Sequence, residues 1–407
     1  MADIVFAFDP AIDRPIPIPD AAPPAIAEAI SAAPLQSLRA AMTTARETEA
    51  AAVVLFGRVL DPHRAGPSQA AAVRAMILEL AAVGCHTVWV TDDADDHAAI
   101  TQMLGDPRGL LFATPSTPVR LDVRGLPVEI LRAHGGITAA SHAAAFPAGS
   151  GLLEHRVIVG WDRSLWSAER WDDALNANAP QSLSGWAQPG CHCVWGSRRT
   201  QPLPVGVRAV SAVQPRSIHE APSGGCSLLS LIDFDDAVDR TSGSGRWRTV
   251  STQRIGWKTI TVESAAGGDE ELATTIWSAL ESLPTDPQSP LQIIRCSVEC
   301  GASVGRRVRV AEIAAETLAR VRDLFDKKNV RAWCAELYAD PGESLASLGH
   351  ARSGGRPGST TSFSSALADI VVGIENEPAA QRHAGLTMPA DMAREAGWLA
   401  LELIESA

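Results

Sequence analysis

The sequence predicts an α/β fold, because short apolar runs of strand length alternate with segments of helical spacing. Residues 3–8 (DIVFAF) and 52–56 (AVVLF) are mostly apolar runs that predict buried strands. Residues 25–50 lie between them and repeat apolar side chains at helical intervals, which predicts a helix. This alternation is typical of an α/β layer structure with polar loops at the strand ends.

The same order continues through a second helix and a third strand. Residues 68–83 place apolar side chains on one helical face, and Gly84 follows as a helix stop. Residues 87–91 (TVWVT) predict the next buried strand. Functional groups in such sheets gather just beyond the strand ends. Those positions hold Asp9, the segment 57–61 and an acidic loop over residues 92–96.

A second sheet is predicted in the less regular region that follows. Its candidate strands are short, rich in β-branched residues and separated by Gly, Pro and Ser. They cover residues 128–131, 156–159, 193–195, 205–210 and 226–232. We expect this sheet to pack against the first.

The remainder of the chain predicts a smaller α/β domain and a tail. Residues 240–246 (RTSGSGR) form a polar segment that favours a linker or a hairpin tip. Strands are predicted at 257–262, 291–298 and 330–338, and helices at 270–283 and 311–326. Residues 351–362 favour a flexible link, followed by two predicted helices near 363–376 and 389–405.

Composition limits the classes of function. The chain has 407 residues and a formal net charge of -12, which argues against a free-standing, high-affinity nucleic-acid binder. No apolar stretch is long enough to predict a membrane span, and the N-terminus lacks the basic region of a signal peptide. Seven cysteines without a framework spacing suit a reducing compartment, so we expect a cytoplasmic protein.

Several motifs resemble a known family in their order and spacing. Residues 6–15 (FAFDPAIDRP), 54–61 (VLFGRVLD) and 87–96 resemble the first three motifs of the Mre11/SbcD-type DNA repair exonucleases, close to the YhaO-like branch. Residues 196–199 (GSRR) fall where that family has Gly-His-x-His. Residues 214–220 (QPRSIHE) resemble its Gln-Gly-Arg-x-x-x-Glu segment.

The resemblance carries expectations about fold and chemistry. These exonucleases are calcineurin-like metallophosphoesterases, which implies a four-layer α/β/β/α sandwich, a small α/β capping domain and a helical C-terminal tail. The corresponding boundaries are 1–235 for the phosphoesterase domain, 236–345 for the capping domain and 346–407 for the linker and tail. The family reaction uses two divalent cations, usually manganese, to clamp a phosphodiester and activate a water.

Most of the ligand positions implied by the resemblance hold other residues. Asp9 keeps its carboxylate, whereas its partner histidine is Ala11 and the bridging aspartate is Arg58. A guanidinium cannot bind a metal ion and would repel one. The altered positions also include Ala94 (paired with Asp93 or Asp95, depending on a one-residue gap), Trp161, Ser197 and Arg199.

Two interpretations of this altered site stay open. Arg58 could pair with Asp9 and one acid of the 92–95 cluster, so that a guanidinium replaces the metal charge. Alternatively, an acidic cage could hold a single cation; its ligands would be Asp9, Asp61, Asp92, Asp93 and Asp95. Asp61 is mainly structural in the family.

Two other groups are candidate sites. Arg306, Arg307 and Arg309 form the densest basic cluster, which could contact phosphates or be a solvated face. Cys191-His192-Cys193 lacks the Cys-x2–4-Cys spacing of zinc sites, so we do not predict zinc there.

The resulting functional hypothesis is a non-catalytic or impaired Mre11/SbcD-like subunit in DNA repair or DNA processing, without a cofactor. The resemblance implies a Rad50/SbcC- or YhaN-like coiled-coil ATPase as partner, DNA contacted through that complex, and possible homodimer formation. One alternative is an active metal-dependent phosphoesterase or exonuclease with a rebuilt acidic site. A second alternative is a stand-alone structural scaffold.

Overall fold

The chain folds into two units that each contain their own sheet structure. The computed structural model describes residues 3–19, 22–91, 94–133, 155–161, 191–198, 207–218, 220, 223–231, 246–263, 274–276, 278–279, 282, 291–299, 316, 318–319, 322–323 and 332–340. The first unit comprises residues 1–167, 177–256 and 288–290, and the second comprises 168–176, 257–287 and 291–407.

The first sheet has six strands in the order β11-β10-β1-β2-β3-β4. Strands β1 (Ile4–Phe8), β2 (Ala52–Phe56), β3 (His86–Val90) and β4 (Leu110–Ala113) run parallel. Strands β10 (Gly225–Ser230) and β11 (Arg246–Ser251) extend the sheet as an antiparallel pair next to β1. All residues of β1 and β2 are buried, as expected for central parallel strands covered on both faces.

Helices cover one face of this sheet. They are α1 (Pro24–Glu47), α2 (Pro67–Ala82) and α3 (Ala94–Leu104). Leu38 of α1 and Ile77 of α2 belong to the same buried apolar cluster as Val5 and Val53 of the sheet. At the start of α2, the Gln69 side chain accepts from the Gly66 N–H and donates to the Ile12 carbonyl, both at 2.9 Å. This contact ties α2 to the loop that follows β1.

A second, five-stranded sheet packs on the other face of the first. Its order is β5 (Val119–Val123), β6 (Leu126–Arg132), β7 (His155–Trp161), β8 (Cys191–Gly196) and β9 (Val207–Val210). Strands β5 and β6 are antiparallel, and β6 to β9 are parallel. One buried cluster joins Phe6 and Val54 of the first sheet to Ile130 and Val157 of the second. The chain is therefore an α/β protein with two mixed, face-packed sheets.

The second unit contains a three-stranded sheet in the order β12-β13-β14. Its strands are β12 (Ile255–Glu263), β13 (Leu291–Glu299) and β14 (Ala332–Asp340), and β13 and β14 run parallel. Residues 274–276 and 278–279 are helical, as are 316, 318–319 and 322–323. Within this unit, the Arg322 guanidinium stacks 4.1 Å from the centroid of the buried Trp333 ring.

Most elements expected from the sequence are confirmed. The structure contains the predicted strands as β1 to β3, β6 to β10 and β12 to β14, and the two predicted helices of the first unit as α1 and α2. The expected place of the strand at 226–232 in the second sheet is wrong, because β10 pairs antiparallel with β1 and belongs to the first sheet. The acidic loop predicted over 92–96 is wrong in part, because α3 begins at Ala94. Strands β4, β5 and β11 were not expected.

The expected helical tail lies outside the described residues. So do the predicted boundary at 345/346 and the link over 351–362. Within the part of the chain that the structure describes, no helix combines the length and the apolar character that crossing a membrane requires.

Candidate functional site

The candidate site forms where the first strand of the first sheet ends. Asp9 directly follows β1 in a left-handed backbone conformation, with φ of 51°, and is 2 % exposed. Its N–H donates to the Phe56 carbonyl at 2.9 Å, and the Ala11 N–H donates to the Arg58 carbonyl at 2.7 Å. These two bonds continue the β1–β2 pairing past the strand ends, so they hold Asp9 next to Arg58.

Arg58 approaches Asp9 from the end of β2. Its Nε lies 3.2 Å from Asp9 Oδ1, and its backbone N–H donates to the same oxygen at 3.2 Å. The preceding residue, Gly57, has φ of 76°, and a Cβ there would lie 2.7 Å from the Phe8 ring. Glycine therefore allows β2 to turn sharply enough to aim Arg58 at the carboxylate.

Arg198 reaches the other oxygen of Asp9 from the second sheet. It lies two residues beyond β8, and its Nε and Nη2 both contact Asp9 Oδ2. Its Nη1 donates to Glu220 Oε1 at 3.2 Å. Arg198 is 3 % exposed, so both ion pairs are shielded from solvent. Gly196 allows this close approach of the two sheets because it has no Cβ; a Cβ at this position would lie only 2.3 Å from the Phe8 ring.

Arg216 completes the network from the segment before β10. Its backbone N–H donates to Glu220 Oε2 at 3.0 Å. Its guanidinium donates to the Ala11 carbonyl at 3.0 Å and to the Arg14 carbonyl. Arg216 is one of the largest fully buried side chains among the described residues. The five-residue group of Asp9, Arg58, Arg198, Arg216 and Glu220 is called the arginine–carboxylate network below.

The arginines determine the ionisation of Asp9. Burial disfavours its charged form, but the charges of Arg198 and Arg58 and their hydrogen bonds outweigh burial and hold the pKa of Asp9 well below its usual value. Burial raises the pKa of Glu220, although Arg198 partly opposes this shift. Burial, reinforced by the charge of Arg198, lowers the pKa of Arg216 to about 10.

These side chains do not fit a two-metal centre. Each oxygen of Asp9 already faces a guanidinium, and a cation placed there would meet the positive charges of Arg58 and Arg198. Ala11 supplies no side-chain ligand, and its carbonyl accepts from Arg216. The expected pairing of Arg58 with Asp9 is confirmed; its second expected partner, an acid of the 92–95 cluster, lies outside the described side chains.

The other predicted site residues have separate surroundings. The Asp61 carboxylate accepts from the His63 N–H at 2.9 Å and lies beside Asp13, whose pKa is raised by burial and then by the charge of Asp61. Ser197 is buried, and its N–H donates to the Val210 carbonyl at 3.0 Å. Trp161 is buried with the Arg132 guanidinium 3.5 Å from the centroid of its ring.

Several candidate residues cannot be placed. Asp92, Asp93, Arg199, Arg306, Arg307 and Arg309 lie outside the described residues, and only the backbone of Ala94 and Asp95 is described. Within the described residues, no group of three or more His, Cys, Asp or Glu side chains is arranged to hold a metal ion.

Sequence reasoning missed the roles of three residues in this site. The motif at 196–199 points to Arg199 and not to Arg198, and the motif at 214–220 assigns no structural role to Arg216 or Glu220. A signal was present, since three arginines and one glutamate lie within the two short motifs 196–199 and 214–220.

Comparison with protein-family models finds no match to this chain, and comparison with the curated proteins finds none either.

Proposed function

We propose that this chain is a non-catalytic or impaired Mre11/SbcD-like subunit that works in DNA repair or DNA processing. The observation that carries the proposal is the position of Asp9, the best-kept metal-ligand position of the resemblance. Its carboxylate lies between the guanidiniums of Arg58 and Arg198. The positive charge of the guanidiniums takes the place of metal charge, so the strand-end site stabilises the fold and does not hydrolyse a phosphodiester.

The physical basis is the chemistry of the metal-dependent reaction. Two cations must share carboxylate and imidazole ligands with free lone pairs before they can activate a water. Here the ligand oxygens accept from guanidiniums, which donate hydrogen bonds and cannot bind metal. The network has three guanidiniums against two carboxyl groups, so its charge disfavours a cation even when both acids are ionised.

The finer parts of the proposal follow from the resemblance. They are a fourth, helical layer on the second sheet, a capping domain, and a helical tail over 346–407 that meets a Rad50/SbcC- or YhaN-like coiled-coil ATPase. DNA would be contacted through that complex, in the cytoplasm. The packing of two mixed sheets with helices on the first supports the sandwich part of this proposal.

A phosphodiesterase assay tests the catalytic part of the proposal. Purified protein is incubated with manganese and bis(p-nitrophenyl) phosphate, and in parallel with linear duplex DNA. We expect no hydrolysis above the background of the Asp9→Asn variant. Metal-dependent turnover that is abolished by Asp9→Asn, while that variant stays folded, and kept by Asp61→Asn would overturn the non-catalytic assignment. Turnover lost in both variants would favour the rebuilt acidic site.

A co-purification experiment tests the partner part of the proposal. The tagged full-length chain is isolated from its native host beside a variant that lacks residues 363–407. We expect the full-length chain to retain a long coiled-coil ATPase and the shortened chain to lose it. Retention of no such ATPase by the full-length chain would favour the stand-alone scaffold.

A further inference from the structure

Two buried histidines meet between the two sheets of the first unit. His155 is the first residue of β7 and His192 is the second residue of β8, and their exposed fractions are 7 % and 5 %. Nδ1 of His155 lies 3.3 Å from Nε2 of His192. Side chains alternate across a strand, so Cys191 and Cys193 point to the other face of the second sheet. Residues 191–193 therefore cannot converge on one metal ion, and the contact of His192 is with His155.

The two imidazole rings form a hydrogen bond in which one donates and the other accepts. Their planes differ by 13° and their centroids are 5.6 Å apart. This separation exceeds that of the two nitrogens by the width of one ring, so the nitrogens point at each other. A neutral imidazole has one N–H and one lone pair, so the bond needs an uncharged acceptor ring. A metal ion bound in line would need the nitrogens about 4 Å apart, which is farther than they are.

The immediate surroundings of the pair are apolar. Val128 of β6 is the register partner of His155. Val157 of β7 is the register partner of His192. Both valines belong to the buried cluster that joins the two sheets. Across the gap, the Trp247 ring of β11 lies with its centroid 6.4 Å from that of His192. A proton added to the pair would therefore place a charge in an apolar space between the sheets, which is costly.

Charged side chains of the second sheet do not offer this pair a counter-charge. Glu129 and Arg156 point to the other face of the sheet, where Glu129 Oε2 lies 3.2 Å from the Nε of Arg156. Arg208 of β9 is on the same face as the pair, but it is exposed and donates to the Thr249 hydroxyl at 3.3 Å. The described residues of the second sheet thus direct no carboxylate at the two rings.

The first sheet presents a similar picture from its side. Arg246 and Arg248 flank Trp247 along β11, so they point away from the pair. Asp3 precedes β1; one of its oxygens lies 3.4 Å from the Nε of Arg124, and the other accepts from a backbone N–H. The acid at this end of the first sheet is therefore already engaged.

Burial lowers the pKa of both histidines. The pKa of His192 falls to about 4, and the charge of His155 is the second cause. The folded state therefore favours the uncharged pair. Its stabilising effect is complete above the unfolded pKa of about 6.5 and is lost as the pH falls from that value towards 4.

We propose that His155 and His192 form a pH-sensitive switch that loosens the contact between β8 and β11 when the pair takes up a proton. The first proton places a charge in the apolar gap, and a second makes both rings donors, which breaks their hydrogen bond. Because His192 contacts Trp247, which in turn packs 5.4 Å from the Phe6 ring between centroids, the loosening releases the β11 edge from the second sheet. The arginine–carboxylate network lies at the opposite end of β8, so it stays closed when the switch opens.

Hydrogen exchange of the full-length protein at pH 7 and pH 5 tests this proposal, with rates corrected for the intrinsic effect of pH. One proton whose pKa changes from about 4 to about 6.5 on opening raises the opening constant by about 20-fold over this interval. We expect an increase of that size in peptides that cover β7, β8 and β11, whereas peptides from β2 keep their protection. No increase in β8 and β11, or an equal increase in β2, would overturn the proposal. Both results come from the unsubstituted protein.

Substitutions link the change to the two rings. The double variant His155→Gln/His192→Gln retains polar side chains that do not titrate, so we expect its β8 and β11 peptides to exchange equally at the two pH values. His86→Gln is the matched control, since His86 is exposed on β3, and it should keep the full increase. Thermal unfolding checks that each variant is folded. An increase that persists in the folded double variant would contradict the assignment to this pair.

Discussion

Asp9 shows at the scale of one residue how a buried carboxylate is retained in this fold. Taking a carboxylate out of water is costly, and Arg58 and Arg198 offset that cost with direct ion pairs. Removing one partner of such a pair leaves the other charge buried without compensation. We therefore expect a substitution at Asp9 to lower the stability of the fold, independently of any effect on catalysis.

Asp9→Asn should destabilise the protein strongly. The amide keeps the shape of the carboxylate but loses its charge, so we expect the free energy of unfolding to fall by about 3–5 kcal/mol. Urea unfolding measures the change. Asp61→Asn is the matched control, since that side chain is partly exposed and accepts from a backbone N–H; it should cost less than about 1 kcal/mol. Equal and small effects of both substitutions would contradict the role of the network.

The stability due to Asp9 should depend on pH. The pKa of Asp9 is lowered in the folded protein, so the folded state favours the charged form. The stabilisation is therefore fully present above the unfolded pKa of about 3.9. It is lost as the pH falls through the lowered pKa of the folded state. Glu220 acts in the opposite sense because its pKa is raised.

Comparing variants isolates the contribution of Asp9. The difference in free energy of unfolding between the unsubstituted protein and Asp9→Asn should be constant between about pH 5 and 7 and should shrink below about pH 4. Urea titrations at each pH measure it, with Asp61→Asn as the control. A difference that grows on acidification would contradict the assignment of the shift.

Gln214 joins three parts of the first unit at the scale of elements. Its side-chain oxygen accepts from Ser37 of α1 at 3.0 Å and from the N–H of Arg254 at 2.7 Å. Its amide nitrogen donates to the carbonyls of Pro215 and Ile255. Gln214 is 1 % exposed, so this single buried amide ties α1 and the segment before β10 to residues 254–255 of the same unit.

Gln214→Leu should loosen the backbone at residues 254–255. The substitution leaves the half-buried N–H group of Arg254 and the buried N–H group of Ile255 without their acceptor, which costs about 2–6 kcal/mol in total. Hydrogen exchange should show faster exchange at these two amides. Gln36→Leu on the exposed side of α1 is the control and should change stability by less than about 0.5 kcal/mol. Unchanged protection at both amides would contradict this role.

The elements that could be predicted from the sequence are those with strong local patterns. The runs of β1 and β2 are wholly apolar because they are buried on both faces. The strand β11 (RWRTVS) lies at the edge of its sheet with mostly exposed or half-buried side chains, so its sequence carries little apolar signal. The sequence does not predict helix α3, because its first turn falls within an acidic cluster that is typical of a loop.

The candidate site could be predicted only at the ends of β1 and β2. Asp9 and Arg58 follow continuous apolar strands, so their meeting could be expected from the parallel pairing. Arg198 could not be chosen over Arg199 from the sequence, since the choice depends on where β8 ends. In the structure, Ser197 still bonds to Val210 of β9, and this contact carries Arg198 to Asp9. Such long-range register is not encoded in any local pattern.

The charge of the whole molecule bears on how it would meet DNA. A net charge of -12 opposes binding to a polyanion unless a partner or a local basic cluster supplies contacts. We expect the isolated chain to show no measurable affinity for a fluorescent duplex by anisotropy at about 0.15 M salt. Tight binding that is lost when Arg306, Arg307 and Arg309 are changed to Gln would contradict this expectation and would place the DNA contact on this chain.

The central claim for the whole molecule is that guanidiniums occupy the charge positions at which a phosphoesterase holds its metal ions. Manganese binding to the purified full-length chain tests it most directly, measured by isothermal titration and by metal content after dialysis. We predict no manganese bound at Asp9, so the titration of the unsubstituted protein should match that of Asp9→Asn. Stoichiometric manganese that is lost in Asp9→Asn, while that variant stays folded, would contradict the claim.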